Sequence, residues 1–259
     1  MFWGRLSANI HFSPWPMQTG LSVLGGITSL VVLLKTGRFS LFFFCLVCLS
    51  IRVSFWSSDI VWEGRRGEYS LQVYDNFKFR FSLFVFREII LLFSFFWTLF
   101  HFSLAPSSLA RHTWPPLGVE TIAPRGVPLL NTILLVGRGV TVTWAHHLLM
   151  CGFCKERREA LGGTVFLGVI FLFNQGVEFR EAIFSLGERV YGCLFFTLTG
   201  FHGFHVFLGL FLLLVGRGRL FLTHLTCVNH ASLEISFWYW HLVDCVWLIV
   251  YSFIYWWGN

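Results

Sequence analysis

FKFRFSLFVFREIILLFSFFWTLFHF, residues 77–102, is an almost unbroken apolar run with its charges at Lys78, Arg80, Arg87 and Glu88. As a helix it exceeds the roughly 30 Å hydrocarbon layer of a bilayer even when tilted. Strands of a membrane barrel would be roughly ten residues long and alternate in hydropathy, which this run does not. Similar blocks lie on both sides of it. Together they predict helices over about 17–34, 39–62, 77–102, 129–150, 160–179, 190–215 and 233–257, an all-α transmembrane seven-helix bundle within a single membrane domain, 1–259. The polar stretch from Ser57 to Asn76 makes the end of the second block soft. Ser103 to Pro128, with Pro106, Pro115, Pro116, Pro124 and Pro128, cannot be one continuous helix and reads as an ordered external loop.

Composition agrees with the blocks. The 259 residues are 56% hydrophobic and 12% charged, with 32 Phe and 12 Trp. Nineteen basic and 13 acidic side chains cannot cover a water-soluble fold of this size. The net charge of +6 is spread singly at block ends, with no basic stripe interleaved with aromatics, so nucleic acid is not the expected partner. Residues 1–12 lack the pattern of a secretory or transit peptide, so the start reads as part of the mature protein. With the N-terminus inside, the inner connections carry Arg5, Arg65, Arg66, Lys155, Arg157, Arg158, Arg217 and Arg219. The outer ones carry Lys35, Arg38, Arg111, Arg125, Arg180 and Arg189, a weak positive-inside bias.

Polar residues at membrane depth are the candidate functional groups, because an unpaired charge in lipid must pair, neutralise or face a polar cavity. Glu88 leads them, either as a protonatable group on a proton route or as a structural, lipid-contacting one. Arg87 points roughly 100° away around the helix and is not automatically its partner; an arginine on another helix would serve equally. His202 and His205 lie at i and i+3, as do His241 and Asp244, which is compatible with a metal site or with hydrogen bonds between helices. His146 and His147 are adjacent, so at most one can donate internally. Cys151-x-x-Cys154 lacks a second ligand pair at finger-like spacing, although a zinc or dithiol role is conceivable there.

Longer ordered patterns run through the chain. They include Phe95-Phe96-Trp97 leading to His101 and Ser103-Leu104-Ala105-Pro106, then Trp114-Pro115-Pro116, Pro128-Leu129-Leu130-Asn131-Thr132 and Thr143-Trp144-Ala145-His146-His147. Tyr191-Gly192, Thr199-Gly200-Phe201-His202-Gly203-Phe204-His205-Val206, Trp238-Tyr239-Trp240-His241-Leu242-Val243-Asp244 and Ile254-Tyr255-Trp256-Trp257-Gly258 follow. Over nearly its whole length the chain resembles subunit III of the haem–copper cytochrome c oxidases.

That resemblance implies a non-catalytic core subunit with no haem or copper of its own, so the metal reading of His202, His205, His241 and Asp244 gives way to structural polar contacts, shared with His146 and His147. Haem a and copper would sit in partner subunits. Subunit I would be the main contact, with subunit II and accessory subunits in the complex and a respiratory supercomplex beyond it. It further implies that helices 1–2 are separated from helices 3–7 by a V-shaped cleft holding structural phospholipids. Glu88 would face the lipid-bearing region and Trp56, Asp59 and Glu63 would line the cleft, while Arg217 or Arg219 would meet a lipid phosphate. The implied role is to stabilise the catalytic subunit and support proton uptake during electron transfer from cytochrome c to oxygen. The implied site is the mitochondrial inner membrane, N-terminus on the matrix side, with a bacterial plasma membrane as alternative. An independent transporter or structural scaffold is the competing function, but no pair of broken helices in inverted repeats supports it. Four positions depart from the family pattern: Glu68-Tyr69 replaces a usual His-His pair, and Arg87 and Arg138 stand where small residues are usual.

Overall fold

The computed structural model describes residues 13–67, 69, 71–106, 113–116, 118–187, 189–225 and 230–258. Glu68, Arg111 and the side chains of Cys154 and Arg189 lie outside the described set. Seven helices follow one another: α1 (Trp15–Thr36), α2 (Ser40–Arg65), α3 (Leu71–Leu104), α4 (Val127–Cys151), α5 (Cys154–Glu181), α6 (Arg189–Phe221) and α7 (Ala231–Val250), the last continuing as a π-helical turn over Tyr251–Trp256. All seven among the described residues are long and apolar enough to cross a membrane.

Local chemistry sets several ends. Pro16 and Pro128 occupy the first turns of α1 and α4, where a missing N–H costs nothing. Gly37 (φ 69°) and Gly152 (φ 82°) close the same two helices in the left-handed conformation, and the Gly37 N–H bonds the Leu33 carbonyl at 2.8 Å. The charged stretch from Cys151 to Glu159 falls between the fourth and fifth apolar blocks and reads in sequence as a short turn, but α4 runs to Cys151 and α5 begins at Cys154, with Glu156 in its first turn favourable to the helix dipole.

The described chain forms two units, one ending at Phe77 and the other beginning at Lys78. In the first, α1 packs on α2 with only Thr19, Ser22 and Ser29 buried on α1 and no buried residue on α2. Polar and aromatic contacts hold the pair. Arg52 donates to the Gln18 carbonyl at 3.0 Å and to the Ser22 hydroxyl, Trp15 Nε1 donates to Asp59, and the Trp15 and Phe55 rings stack at 5.4 Å. Large apolar side chains such as Phe43 and Phe44 face outward, as a lipid solvent or a protein neighbour requires.

In the second unit α4 packs on α5, α5 on α6, α6 on α7 and α7 back on α4. The α3 segment joins them through Phe81 and Phe84 against Tyr239, Phe95 against Phe201 and Phe96 against Phe253. Val142, Phe171, Leu198, Val206, Leu213 and Trp247 are fully buried. Lipid supplies no hydrophobic drive between helices, so close approach and interhelical hydrogen bonds carry the association. Thr141 meets Thr164 at 2.8 Å, Asn174 donates to Asn131 at 3.2 Å, and Trp247 Nε1 donates to Thr132 at 3.1 Å. Lys78 pairs with Glu234 at 2.8 Å, tying α3 to the start of α7. Three helices approach closely around Trp240. A Cβ added to Gly209 on α6 would lie 2.8 Å from its ring, and one on Gly168 of α5 would lie 3.0 Å from it.

Candidate functional site

A polar layer crosses the interior of the second unit, contributed by α3, α4, α6 and α7. Glu88 on α3 is 7% exposed. Its Oε1 accepts from Arg87 Nη2 at 2.7 Å, and its Oε2 stands 3.7 Å from His205 Nε2 on α6. The neighbouring arginine is thus a partner after all. Its Cβ departs on another azimuth, but the long flexible side chain lies over the Phe84 ring at 5.0 Å and swings its guanidinium, largely exposed, back to the carboxylate. The other ring nitrogen of His205, Nδ1, is 2.7 Å from the Tyr239 hydroxyl on α7, so His205 stands between the Glu88 carboxylate and Tyr239 and is hydrogen-bonded to the tyrosine.

Below this series Arg138, fully buried on α4, pairs with Asp244 on α7: Nε to Oδ1 is 3.1 Å and Nη2 to Oδ1 is 3.0 Å. Aromatic faces bracket the guanidinium, Phe171 at 4.4 Å and Trp240 at 4.9 Å. A cation at membrane depth is therefore held by a carboxylate and two π-faces. His202 is wholly buried between Phe171 (5.6 Å) and Trp247 (5.0 Å), with neither ring nitrogen hydrogen-bonded among the described residues. Glu88, His202 and His205 line a common void of about 10 Å³, near the least volume that holds a single water.

The remaining candidates are dispersed. His146 lies on the Phe237 ring at 5.2 Å; His147 Nε2 is 3.6 Å from Cys151 Sγ. His147 and exposed His241 line an open groove of about 630 Å³ with Val136, Val140, Thr143 and Trp144. Asp244 is committed to Arg138 and His205 to Tyr239 and Glu88, while His241 faces elsewhere, so these side chains do not converge. Among the described residues no group of three or more His, Cys, Asp or Glu is placed to hold a metal ion.

In the first unit Trp56, Asp59 and Glu63 share a face of α2 by their spacing. Asp59 accepts from Trp15, and Glu63 from the Tyr69 hydroxyl at 2.6 Å. Arg217 packs its guanidinium against Gly162, where an added Cβ would come within 3.1 Å, and over the Phe221 ring at 5.5 Å. Arg219 Nη1 donates to Ser232 at 2.8 Å. Missed in the sequence is a further buried carboxyl, Glu178 on α5, which accepts from the Tyr255 hydroxyl. The rule that singles out Glu88, a carboxyl inside an apolar block, applies to it equally.

The architecture is that of an all-α, seven-span membrane protein with ion pairs at Glu88 and at Arg138–Asp244 in its interior. Its family follows from comparison: the chain belongs to the cytochrome c oxidase subunit III family, whose family model matches residues 8–259. It is 40% identical over 251 residues to "Cytochrome c oxidase subunit 3" of Osphranter robustus, with 96% of each chain covered. It is 42% identical over 251 residues to that of Paracentrotus lividus, again with 96% of each covered. To the Arabidopsis thaliana protein of the same name it is 38% identical over 250 residues, 95% of this chain and 94% of that one.

Proposed function

We propose that the chain is a non-catalytic core subunit of cytochrome c oxidase, respiratory complex IV, in the mitochondrial inner membrane with its N-terminus on the matrix side. It acts as a single domain packed on subunit I, in a complex with subunit II and accessory subunits whose haem a and copper carry electrons from cytochrome c to oxygen. Its own contribution is to stabilise the catalytic subunit, to hold phospholipids in a cleft between α1–α2 and the other helices, and to support proton uptake for coupled pumping. Glu88 is the observation that carries this reading: a nearly buried carboxyl between an exposed guanidinium on one side and a histidine–tyrosine series on the other. A group so placed can take up a proton from the membrane-facing side and relay charge inward without touching a redox centre.

Trp56, Asp59 and Glu63 are assigned to the lipid-facing side of α2. Arg217 and Arg219 are assigned to a lipid phosphate, which a guanidinium can grip through two parallel N–H donors. The test is Glu88→Gln in the intact complex. The haem and copper spectra are expected to stay normal while the complex inactivates sooner during sustained turnover. Loss of haem or copper from otherwise intact complexes would sink the assignment, as would an unchanged working lifetime.

A further inference from the structure

The outer surface of the second unit carries a groove of about 630 Å³ between α4 and α7. Gly139, Val140, Thr143, Trp144 and His147 line it from one face of α4, and His241 lines it from α7. Gly139 is where this surface meets the buried ion pair: a Cβ added there would lie 3.6 Å from Asp244 Oδ2. Arg138 is held through Asp244 Oδ1, and no hydrogen bond reaches Oδ2 among the described residues. Asp244 is 7% exposed, and Oδ2 keeps accessible surface of its own, whereas the unpartnered Arg138 Nη1 is fully enclosed. The nearby hydroxyl is already spent, since Thr143 donates to the Gly139 carbonyl at 2.8 Å. One acceptor oxygen of a membrane-embedded carboxylate therefore comes to the groove at a residue that has no side chain to cover it.

Depth limits what can complete that oxygen. Gly139 stands 12 residues from either end of α4, and Asp244 stands 13 from the start of α7 and 12 from Trp256. At 1.5 Å per residue each is about 18–20 Å from the helix ends, near the middle of the hydrocarbon layer. Phospholipid headgroups stay at the two faces of the bilayer, and acyl chains have no donor to offer. A donor at this depth has to come from protein, and that protein is helical, because a helix satisfies its own backbone in lipid. Asp244 already balances Arg138, so a cationic donor would leave net charge in the bilayer, while a hydroxyl or a primary amide would not. Gly139 lets an incoming backbone come close, and Val140 (65% exposed) and Trp144 (53% exposed) give it apolar surface to pack on.

We propose that a transmembrane helix of a neighbouring subunit seats in this groove, crossing close over Gly139 and donating a neutral hydroxyl or amide hydrogen to Asp244 Oδ2. The inference rests on the reading of the chain as a subunit of an oxidase complex, and it adds which face a partner helix takes and what side chain that helix must carry. It does not depend on the role of Glu88.

The test uses the intact complex with the photoreactive residue benzoylphenylalanine in place of Trp144, an exchange of one large aromatic for another in the groove. After illumination, this chain is weighed and its adduct sequenced by mass spectrometry. The expected result is capture of one other polypeptide, within a membrane-spanning stretch that carries a serine, threonine, asparagine or glutamine. Replacing that donor by alanine should weaken retention of this chain in detergent about tenfold, the loss of one hydrogen bond to a charged acceptor. Gly139→Leu, whose side chain fills the crossing point, should weaken it more, and the capture result stands by itself if that variant does not fold. A chain that copurifies with the haem subunit yet captures only lipid, a second copy of itself or nothing overturns this inference alone, as does a captured helix without a donor. A chain that purifies with no other subunit overturns both this inference and the oxidase reading.

Discussion

Asp244→Leu is expected to destabilise the second unit by about 3–5 kcal/mol, because it leaves the fully buried Arg138 guanidinium without its carboxylate. Phe171 and Trp240 would still face the cation, but π-faces replace only part of a charge partner. The double variant Arg138→Met/Asp244→Leu removes both charges from an apolar setting and is expected to recover most of the loss. Thermal unfolding of the purified complex, followed through release of this chain, reads both effects. A double variant no more stable than Asp244→Leu would show that the pair is not the interaction at stake.

Gly209→Leu is expected to prevent α6 from seating on α7. Even the single Cβ of Gly209→Ala would lie 2.8 Å from the Trp240 ring, which is 1% exposed and has Gly168 of α5 close on another side. Overpacking of this kind costs about 1–3 kcal/mol for a methyl group, and the longer leucine side chain costs more. Gly203 on the same helix has nothing within 4 Å of an added Cβ. There the higher helix propensity of alanine should leave Gly203→Ala neutral or slightly stabilising. Opposite signs at Gly209 and Gly203 in thermal melts support the packing geometry; equal effects contradict it.

The seven spans are legible because hydrocarbon thickness imposes a length on each apolar block, and residues 77–102 exceed it plainly. Helix ends need not follow hydropathy: the polar residues 154–159, outside the apolar block, are the first turns of α5. Glu88 stands out in sequence as a lone carboxyl among Phe, Ile and Leu. Its partners do not, since the pairing with Arg87 depends on how a long side chain bends rather than on helical azimuth. The Arg138–Asp244 pair joins residues far apart in the chain, and only the return of α7 onto α4 brings them together. Asp244, three residues after His241 at the end of a Trp-Tyr-Trp-His stretch, suggests a ligand by spacing alone. The guanidinium across the helix interface gives it another task.

The central claim is that this chain serves a redox complex without holding a redox centre. A map of the native complex tests it most directly. The account predicts the seven helices packed against a haem-bearing subunit, with no haem or metal density ligated by His202, His205, His241 or Asp244, and with lipid density beside Glu88, Trp56 and Arg217 or Arg219. Haem or metal density on those side chains, or purification of the chain as a free protein with no haem subunit attached, would contradict it.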